Sequence, residues 1–164
     1  MRIGLQMEAR PVASGPNRDP RVRLNEMISA LRESGHRITP QRMQILGILS
    51  RSKGHPSVED IHKALIPDLP MLSQATVYKT VALMKDLGQV LELEFGNTHN
   101  RYDGNMPDPH PHLICKRCEA ILDLESLPLS SLEREVSEKT GYVITGHRLD
   151  IIGICPDCQG AADQ

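Results

Sequence analysis

The sequence predicts an α+β chain in two parts, an N-terminal winged helix-turn-helix unit and a small C-terminal α/β unit. Three observations lead there. Four short amphipathic segments, each opened by a capping residue, follow one another closely between residues 19 and 88. A stretch of β-type alternation comes directly after the fourth. Beyond residue 103, two C-x-x-C pairs enclose a strand, helix, strand pattern. With 164 residues, one Phe, three Tyr and no Trp, aliphatic side chains must fill any core, and a structural metal is a natural supplement.

The first 18 residues carry Pro, Gly and Ser without an apolar period and read as an arm. It precedes a unit spanning 19–103 and a second spanning 104–164. "DPRVRLNEMISALRESG" has Asp19 as N-cap and Pro20 at the first helical position; Val22, Leu24, Met27, Ile28 and Leu31 are its apolar residues and Gly35 its stop. "TPQRMQILGILSRS" repeats the formula with Thr39 and Pro40. "SVEDIHKAL" opens on Ser57 with Asp60 three residues on, a capping-box variant. "SQATVYKTVALMKDLG" runs from Ser73 to Gly88.

The fourth segment presents two unlike faces. Val77, Val81 and Met84 cluster on one side and suit a core. Ala75, Tyr78, Lys79 and Ala82 lie on another, where alanines permit close approach and Lys79 and Tyr78 can meet phosphate or base edges in a major groove. With Thr76 beside them, Ala75, Tyr78 and Lys79 form the expected DNA-contacting set. A plain surface helix accounts equally well for these residues taken alone. The next stretch separates the two readings: "QVLELEFGNTHNRYDG" alternates Val90, Leu91, Leu93 and Phe95 with polar residues, breaks at "GNTHN" and resumes at Arg101 and Tyr102. A hairpin placed there is the wing of a winged helix, beside the groove that the helix enters.

Charge follows the same division. Residues 1–88 hold thirteen Lys and Arg against eight Asp and Glu, whereas residues 89–164 hold six against thirteen, within a net charge of −2. A basic half suits a polyanion and an acidic half suits cations. In the acidic half, "HLICKRCEAILDLE" reads as a strand running through a cysteine knuckle, "SSLEREVSEKTG" as a capped helix from Ser130 to Gly141, and "YVITGHRLDIIGIC" as a strand or hairpin ending at the second cysteine pair. The edges of such a sheet could pair with another copy.

Cys115, Cys118, Cys155 and Cys158 make a four-thiolate set, the closed tetrahedral environment of structural Zn(II). Redox chemistry at "CPDC" is the rival reading, weakened because no helix is expected to follow the motif. His110 and His112, two apart on an extended segment, point to one face. Asp103 lies upstream of them, Asp123 downstream, and His55 precedes the third helix. Three His and two Asp suit Fe(II), Mn(II) or Zn(II) in higher coordination than a four-cysteine site, although spacing alone leaves open whether His55 reaches the others. His36, His62 and His99 read as surface or core residues.

"RITPQRMQIL", "HPSVEDI", "ATVYKTV", "RYD", "HPHLICKRC", Asp123 and "GHRLDIIGICPDC" together resemble the ferric uptake regulator (Fur) superfamily of dimeric metal-dependent bacterial repressors, over residues 22 to 158. The resemblance implies a winged-helix DNA-binding domain, a hinge, an α/β dimerisation domain, a structural zinc and a regulatory Fe(II) or Mn(II) site at the hinge. Its peroxide-sensing branch, PerR, carries regulatory ligands that fall on His55, Asp103, His110, His112 and Asp123, with His55 and His110 as the implied targets of oxidation. The iron-sensing Fur branch typically has Glu in place of Asp123, and the zinc-sensing Zur branch usually includes a cysteine in its sensing site. Two departures follow. Pro109 and Pro111 stand where relatives place further ligands, so an accessory site involving His147 is expected to be absent or weakened. Lys79 replaces the Asn or Arg of relatives, which leaves the operator sequence open.

The implied partners are double-stranded operator DNA and a second copy of the chain. The opening residues carry no signal-peptide pattern and no membrane span is foreseen, so reduced thiolates in the cytoplasm are the expectation. A non-enzymatic regulator is the favoured class. A metalloenzyme on the same ligands and a zinc-stapled interaction module without DNA are the alternatives; a zinc deaminase would need a Glu that the histidine motif lacks.

Overall fold

The computed structural model describes residues 18–94, 100–124 and 129–160. The expected arm, up to residue 17, and the hairpin tip with Phe95 and His99 lie outside the described residues. Among the described residues the chain runs α1 (Pro20–Glu33), α2 (Pro40–Arg51), α3 (Val58–Leu65), α4 (Gln74–Asp86), β1 (Leu91–Leu93), β2 (Arg101–Asp103), β3 (His112–Cys115), β4 (Ile121–Asp123), α5 (Ser130–Thr140), β5 (Asp150–Gly153) and α6 (Pro156–Gly160).

The first four helices begin where side chains satisfy orphan backbone amides. Asp19 accepts from the Arg21 amide, Thr39 from Arg42 and Ser73 from Thr76. Ser57 and Asp60 form a reciprocal capping box. Gly35 and Gly88, both at positive φ, turn the chain out of α1 and α4. One aliphatic core joins these helices: Met27, Leu31, Ile45, Leu46, Leu49, Ile61, Val77, Val81 and Met84 are wholly buried. Burying each such side chain contributes roughly 1.5–3 kcal/mol. Val22, one of the apolar residues of the first segment, is 53 % exposed, and its neighbour Arg23 is buried. Polar acceptors explain the exchange. Arg23 donates through Nε to the Gly104 carbonyl at 2.7 Å and through Nη2 to the Gln89 carbonyl at 2.5 Å.

β1 and β2 pair antiparallel, with Leu91 opposite Asp103, and form the expected hairpin directly after α4. The second sheet has the order β4-β3-β5, with β3 antiparallel to β4 and parallel to β5. Three expectations for this half need correction. The stretch expected as one strand through the cysteine knuckle is two, because the chain reverses between β3 and β4 with Glu119 at φ 59°. The strand expected from Tyr142 begins only at Asp150, leaving Val143 87 % exposed. Only at Leu149, whose carbonyl accepts from the His112 amide of β3 at 3.0 Å, does this segment meet a neighbouring strand. Finally, Ser130 is the first helical residue of α5 rather than its cap, and Leu129 at the cap position makes no side-chain cap bond.

Beyond Gly104, Pro111 and Cys115 are the only buried apolar residues among those described. Leu132, Tyr142, Val143 and Ile152 are exposed. The C-terminal half therefore has little hydrophobic core of its own. Polar links tie it to the helical half: Arg101 of β2 reaches Asp60 of α3 at 3.1 Å and Glu119 of the knuckle at 3.8 Å, and Arg148 donates to the Glu94 carbonyl at 3.0 Å. At the junction, a Cβ on Gly104 would lie 2.7 Å from the Leu49 Cβ and 2.8 Å from its carbonyl oxygen. Because backbone cannot yield as a side chain can, Gly104→Ala should destabilise the fold by about 1–3 kcal/mol, read from the midpoint of chemical unfolding. An unchanged midpoint would mean that the α2 backbone has room to retreat.

Candidate metal centres and nucleic-acid interface

Five expected side chains converge at the junction. One nitrogen or oxygen from each of His55, Asp103, His110, His112 and Asp123 lies within 4.8 Å of all the others. Ligands on opposite sides of a first-row metal stand roughly 4 Å apart, so the cluster is close to the size of a coordination sphere. His55 Nε2 is 2.8 Å from Asp123 Oδ1 and 3.5 Å from Asp103 Oδ2. His110 Nε2 is 3.2 Å and 3.5 Å from the same two oxygens.

Each ligand has a local reason for its position. His112 and Asp123 are register partners across β3 and β4, so their side chains share a face. His110 precedes β3, not on the strand as its spacing with His112 suggested. Pro109 and Pro111 restrict the backbone around it to extended conformations, and its ring still meets that of His112 at 4.3 Å. Asp103 ends β2; its Oδ1 accepts from the amides of Asn105 and Met106, which leaves Oδ2 for the centre. His55 sits two residues before the α3 cap at φ 50°, a conformation costly for any residue with a side chain and more so before proline. Strain of about 1–3 kcal/mol held at such a position implies that something at the centre compensates for it.

The donor atoms themselves test whether a cation fits. His55 Nε2, Asp103 Oδ2, His110 Nε2, His112 Nε2 and Asp123 Oδ1 are buried and complete no hydrogen bond of acceptable geometry. Leaving so many polar atoms unsatisfied is costly, and a divalent cation would satisfy all of them. Electrostatics agree. Burial works against a charged His55, but the Asp103 and Asp123 carboxylates outweigh it and raise the imidazole to about 9. Burial, reinforced by His110 and His55, pushes His112 down to about 4. Against burial, His110 and His55 hold the Asp123 carboxyl well below the usual range. Protons and imidazolium thus substitute for positive charge that the site is built to receive.

The four cysteines, all unbridged, form the second cluster, again with ligand atoms within 4.8 Å. Cys118 and Cys155 sulfurs are 3.6 Å apart, and the Cys155 amide donates to Cys115 Sγ at 3.3 Å. Amides of Cys155, Cys118 and Arg117 pull the Cys115 thiol down to about 6, while the adjoining Cys155 and Cys118 sulfurs push Cys158 up to about 12. Four crowded sulfurs of this kind fit a tetrahedral zinc. One expectation is corrected here: a short helix, α6, does carry the CPDC motif, but it has only five residues.

On α4 the face opposite the core is open. Ala75, Tyr78 and Lys79 are exposed, Tyr78 by 59 %, and Thr76 is half-buried with its hydroxyl 2.9 Å from that of Ser73. With Gln74, Asn100 and Tyr102, the exposed three line a shallow groove between α4 and the hairpin. His62 bonds the Leu72 carbonyl at 2.8 Å, a structural role. His147 pairs with Glu133 at 2.6 Å and joins neither cluster.

The sequence reading missed Asp150. It opens β5 opposite His112 in the parallel register, its Oδ1 is 3.5 Å from His112 Nδ1, and Arg148 holds its other oxygen at 2.7 Å. A carboxylate opening the apolar run "DIIGI" was the available signal. Such a carboxylate orients a metal-binding imidazole without touching the metal. Asp150→Ala should therefore weaken Mn(II) binding about 10–100-fold while zinc content stays unchanged, as equilibrium dialysis with elemental analysis would show. Wild-type Mn(II) affinity would remove Asp150 from the site.

Comparison with known proteins places the chain in a family. The profile of the ferric uptake regulator family matches residues 33–152. The peroxide-responsive repressor PerR of Staphylococcus aureus is 42% identical over 136 residues, covering 83% of this chain and 91% of that one. In fold, the ferric uptake regulator of Helicobacter pylori superposes with a TM-score of 0.74 at 22% identity, covering 87% of this chain and 95% of that one. The Vibrio cholerae ferric uptake regulator, whose structure reveals a rearrangement of its DNA-binding domains, gives 0.66 at 26% identity and covers 77% and 98%. The chain belongs to the ferric uptake regulator family.

Proposed function

We propose that this chain is a metal-dependent, peroxide-responsive transcriptional repressor, acting in the cytoplasm as a homodimer on double-stranded operator DNA. The observation that carries the reading is the junction centre: three imidazoles and two carboxylates face one point with their ligand atoms buried and without a completed hydrogen bond. The peroxide-responsive repressor of S. aureus, 42% identical over most of both chains, supports the response. The open α4 face beside the hairpin supports DNA binding, and the exposed Leu132, Tyr142, Val143 and Ile152 support a second copy. No helix among the described residues is long and apolar enough to cross a membrane.

In this reading residues 19–103 form the DNA-binding domain, and residues 104–164 the metal-binding dimerisation domain. Cys115, Cys118, Cys155 and Cys158 hold structural Zn(II), and His55, Asp103, His110, His112 and Asp123 hold Fe(II) or Mn(II). His55 and Asp103 come from the helical half, and the other three from the sheet half, so ligation fixes the angle between the halves. Two copies held so set their α4 helices at the half-site spacing of one operator. With Fe(II) bound, the centre would supply a reductant that opens hydrogen peroxide beside the imidazoles, one peroxide oxygen going to an imidazole carbon and the other leaving as water with the iron returned to Fe(II), whereas Mn(II) does not readily support this chemistry. Oxygen added to the ring of His55 or His110 weakens that nitrogen as a ligand. Loss of His55 from the centre unties the halves and DNA affinity falls.

Two experiments test the proposal. After low peroxide, Fe(II)-loaded protein should gain one oxygen on His55 or His110 by peptide mass spectrometry and release DNA, while Mn(II)-loaded protein should do neither. Unmodified histidines and retained DNA in the iron form, at peroxide levels that leave the cysteines reduced, would move the assignment to an iron-responsive repressor. Separately, Tyr78→Ala with Lys79→Ala should abolish salt-dependent operator binding, each lost base contact costing roughly 1–3 kcal/mol, with fold and metal content intact. Undiminished operator affinity would show that another surface meets the DNA.

A further inference from the structure

Arg23 is the one arginine or lysine buried among the described residues, only 1 % exposed. A guanidinium in that position needs partners for its five N–H groups. Glu26, its nearest carboxylate at 3.0 Å, is itself 44 % exposed. The remaining bonds go to two places far apart in sequence. Nε donates to the Gly104 carbonyl at 2.7 Å, Nη1 to Gln89 Oε1 at 2.8 Å and Nη2 to the Gln89 carbonyl at 2.5 Å.

Those two residues bracket the β1–β2 hairpin. Gln89 follows Gly88, where α4 ends, and its amide bonds the Met84 carbonyl inside that helix at 2.8 Å. Gly104 follows Asp103, whose Oδ2 faces the histidines. On one side Gly104 packs against Leu49 of α2 with no room for a Cβ between them. One planar fork, fixed in shape, therefore joins the backbone next to a metal-facing carboxylate to the backbone that terminates the groove-facing helix.

We infer that Arg23 is a positioning residue that couples occupancy of the histidine and aspartate centre to the order of the C-terminal end of α4. It touches neither the metal nor DNA. Drawing Asp103 Oδ2 onto a cation fixes Gly104, the guanidinium fixes Gln89 in turn, and the last turn of α4 is held. The inference rests on the reading of the five-residue cluster as a metal centre.

The test is hydrogen exchange on the full-length, zinc-containing protein with and without Mn(II). In the wild type, Mn(II) should slow exchange both at residues 101–105 and at residues 84–90. Arg23→Lys keeps the charge and most of the stem but reaches only one carbonyl. In it, slowing at 101–105 should persist while the Mn(II)-dependent slowing at 84–90 falls at least about threefold. Gln89→Ala removes one bond and leaves the guanidinium seated, and should lower the coupling in the same direction; it decides the matter if Arg23→Lys does not fold. A purely structural arginine would raise exchange equally with and without Mn(II). An undiminished Mn(II)-dependent difference at 84–90 in a folded variant therefore overturns the inference. Failure of the wild type to bind Mn(II) would instead overturn the metal-centre reading, and the inference with it.

Discussion

The constraint on which this molecule depends is the concentration, at the junction between its halves, of ligand atoms that complete no hydrogen bond. Buried nitrogens and carboxylate oxygens without hydrogen bonds cost far more than a surface ion pair returns. Here five side chains from four separate stretches of chain meet in that condition. The C-terminal half contributes only Pro111 and Cys115 to the buried apolar residues among those described. What places the ligands is backbone: a strained residue before a proline, an aspartate clamped by two amides, and a strand register that sets His112 between Asp123 and Asp150.

The two halves are stabilised by different physics. Aliphatic burial and capped helix ends hold the first, and neither depends on a metal. Sulfur chemistry and a three-stranded sheet hold the second, whose apolar residues Leu132, Tyr142, Val143 and Ile152 remain on the surface of the single chain. Arg23, Arg101 and Arg148 cross between the halves through hydrogen bonds and ion pairs. Polar links of this kind can be remade at a new angle at little cost, as packed side chains cannot.

Much of this was legible in the sequence because it follows from local rules. Asp19, Thr39, Ser57 and Ser73 cap the helices they announce, Gly88 ends α4, and β-alternation marks the hairpin. The two C-x-x-C pairs bring four sulfurs into one cluster, and His55, Asp103, His110, His112 and Asp123 form another. The misses share a cause, since each depends on contacts that no local period encodes. Arg23 is buried, beside an exposed Val22, because two distant carbonyls wait for a guanidinium. Asp150 matters only through its register opposite His112. The segment from Tyr142 reads as strand by composition but meets a neighbouring strand only at Leu149. His110 reaches the centre from outside β3, since the prolines around it do what a ladder would otherwise do.

The sulfur cluster is also tied to the histidine cluster through the sheet. Its cysteines lie at the ends of β3 and β5, the strands whose alignment brings Asp150 to His112. Arg101 ties the same knuckle, through Glu119, to the capping residue Asp60 a few positions from His55. Parting the four sulfurs would therefore also loosen the frame on which the histidines and aspartates are aligned. The two clusters share no side chain, so a disturbance at the sulfurs reaches the histidines through strand register and the Arg101 ion pairs.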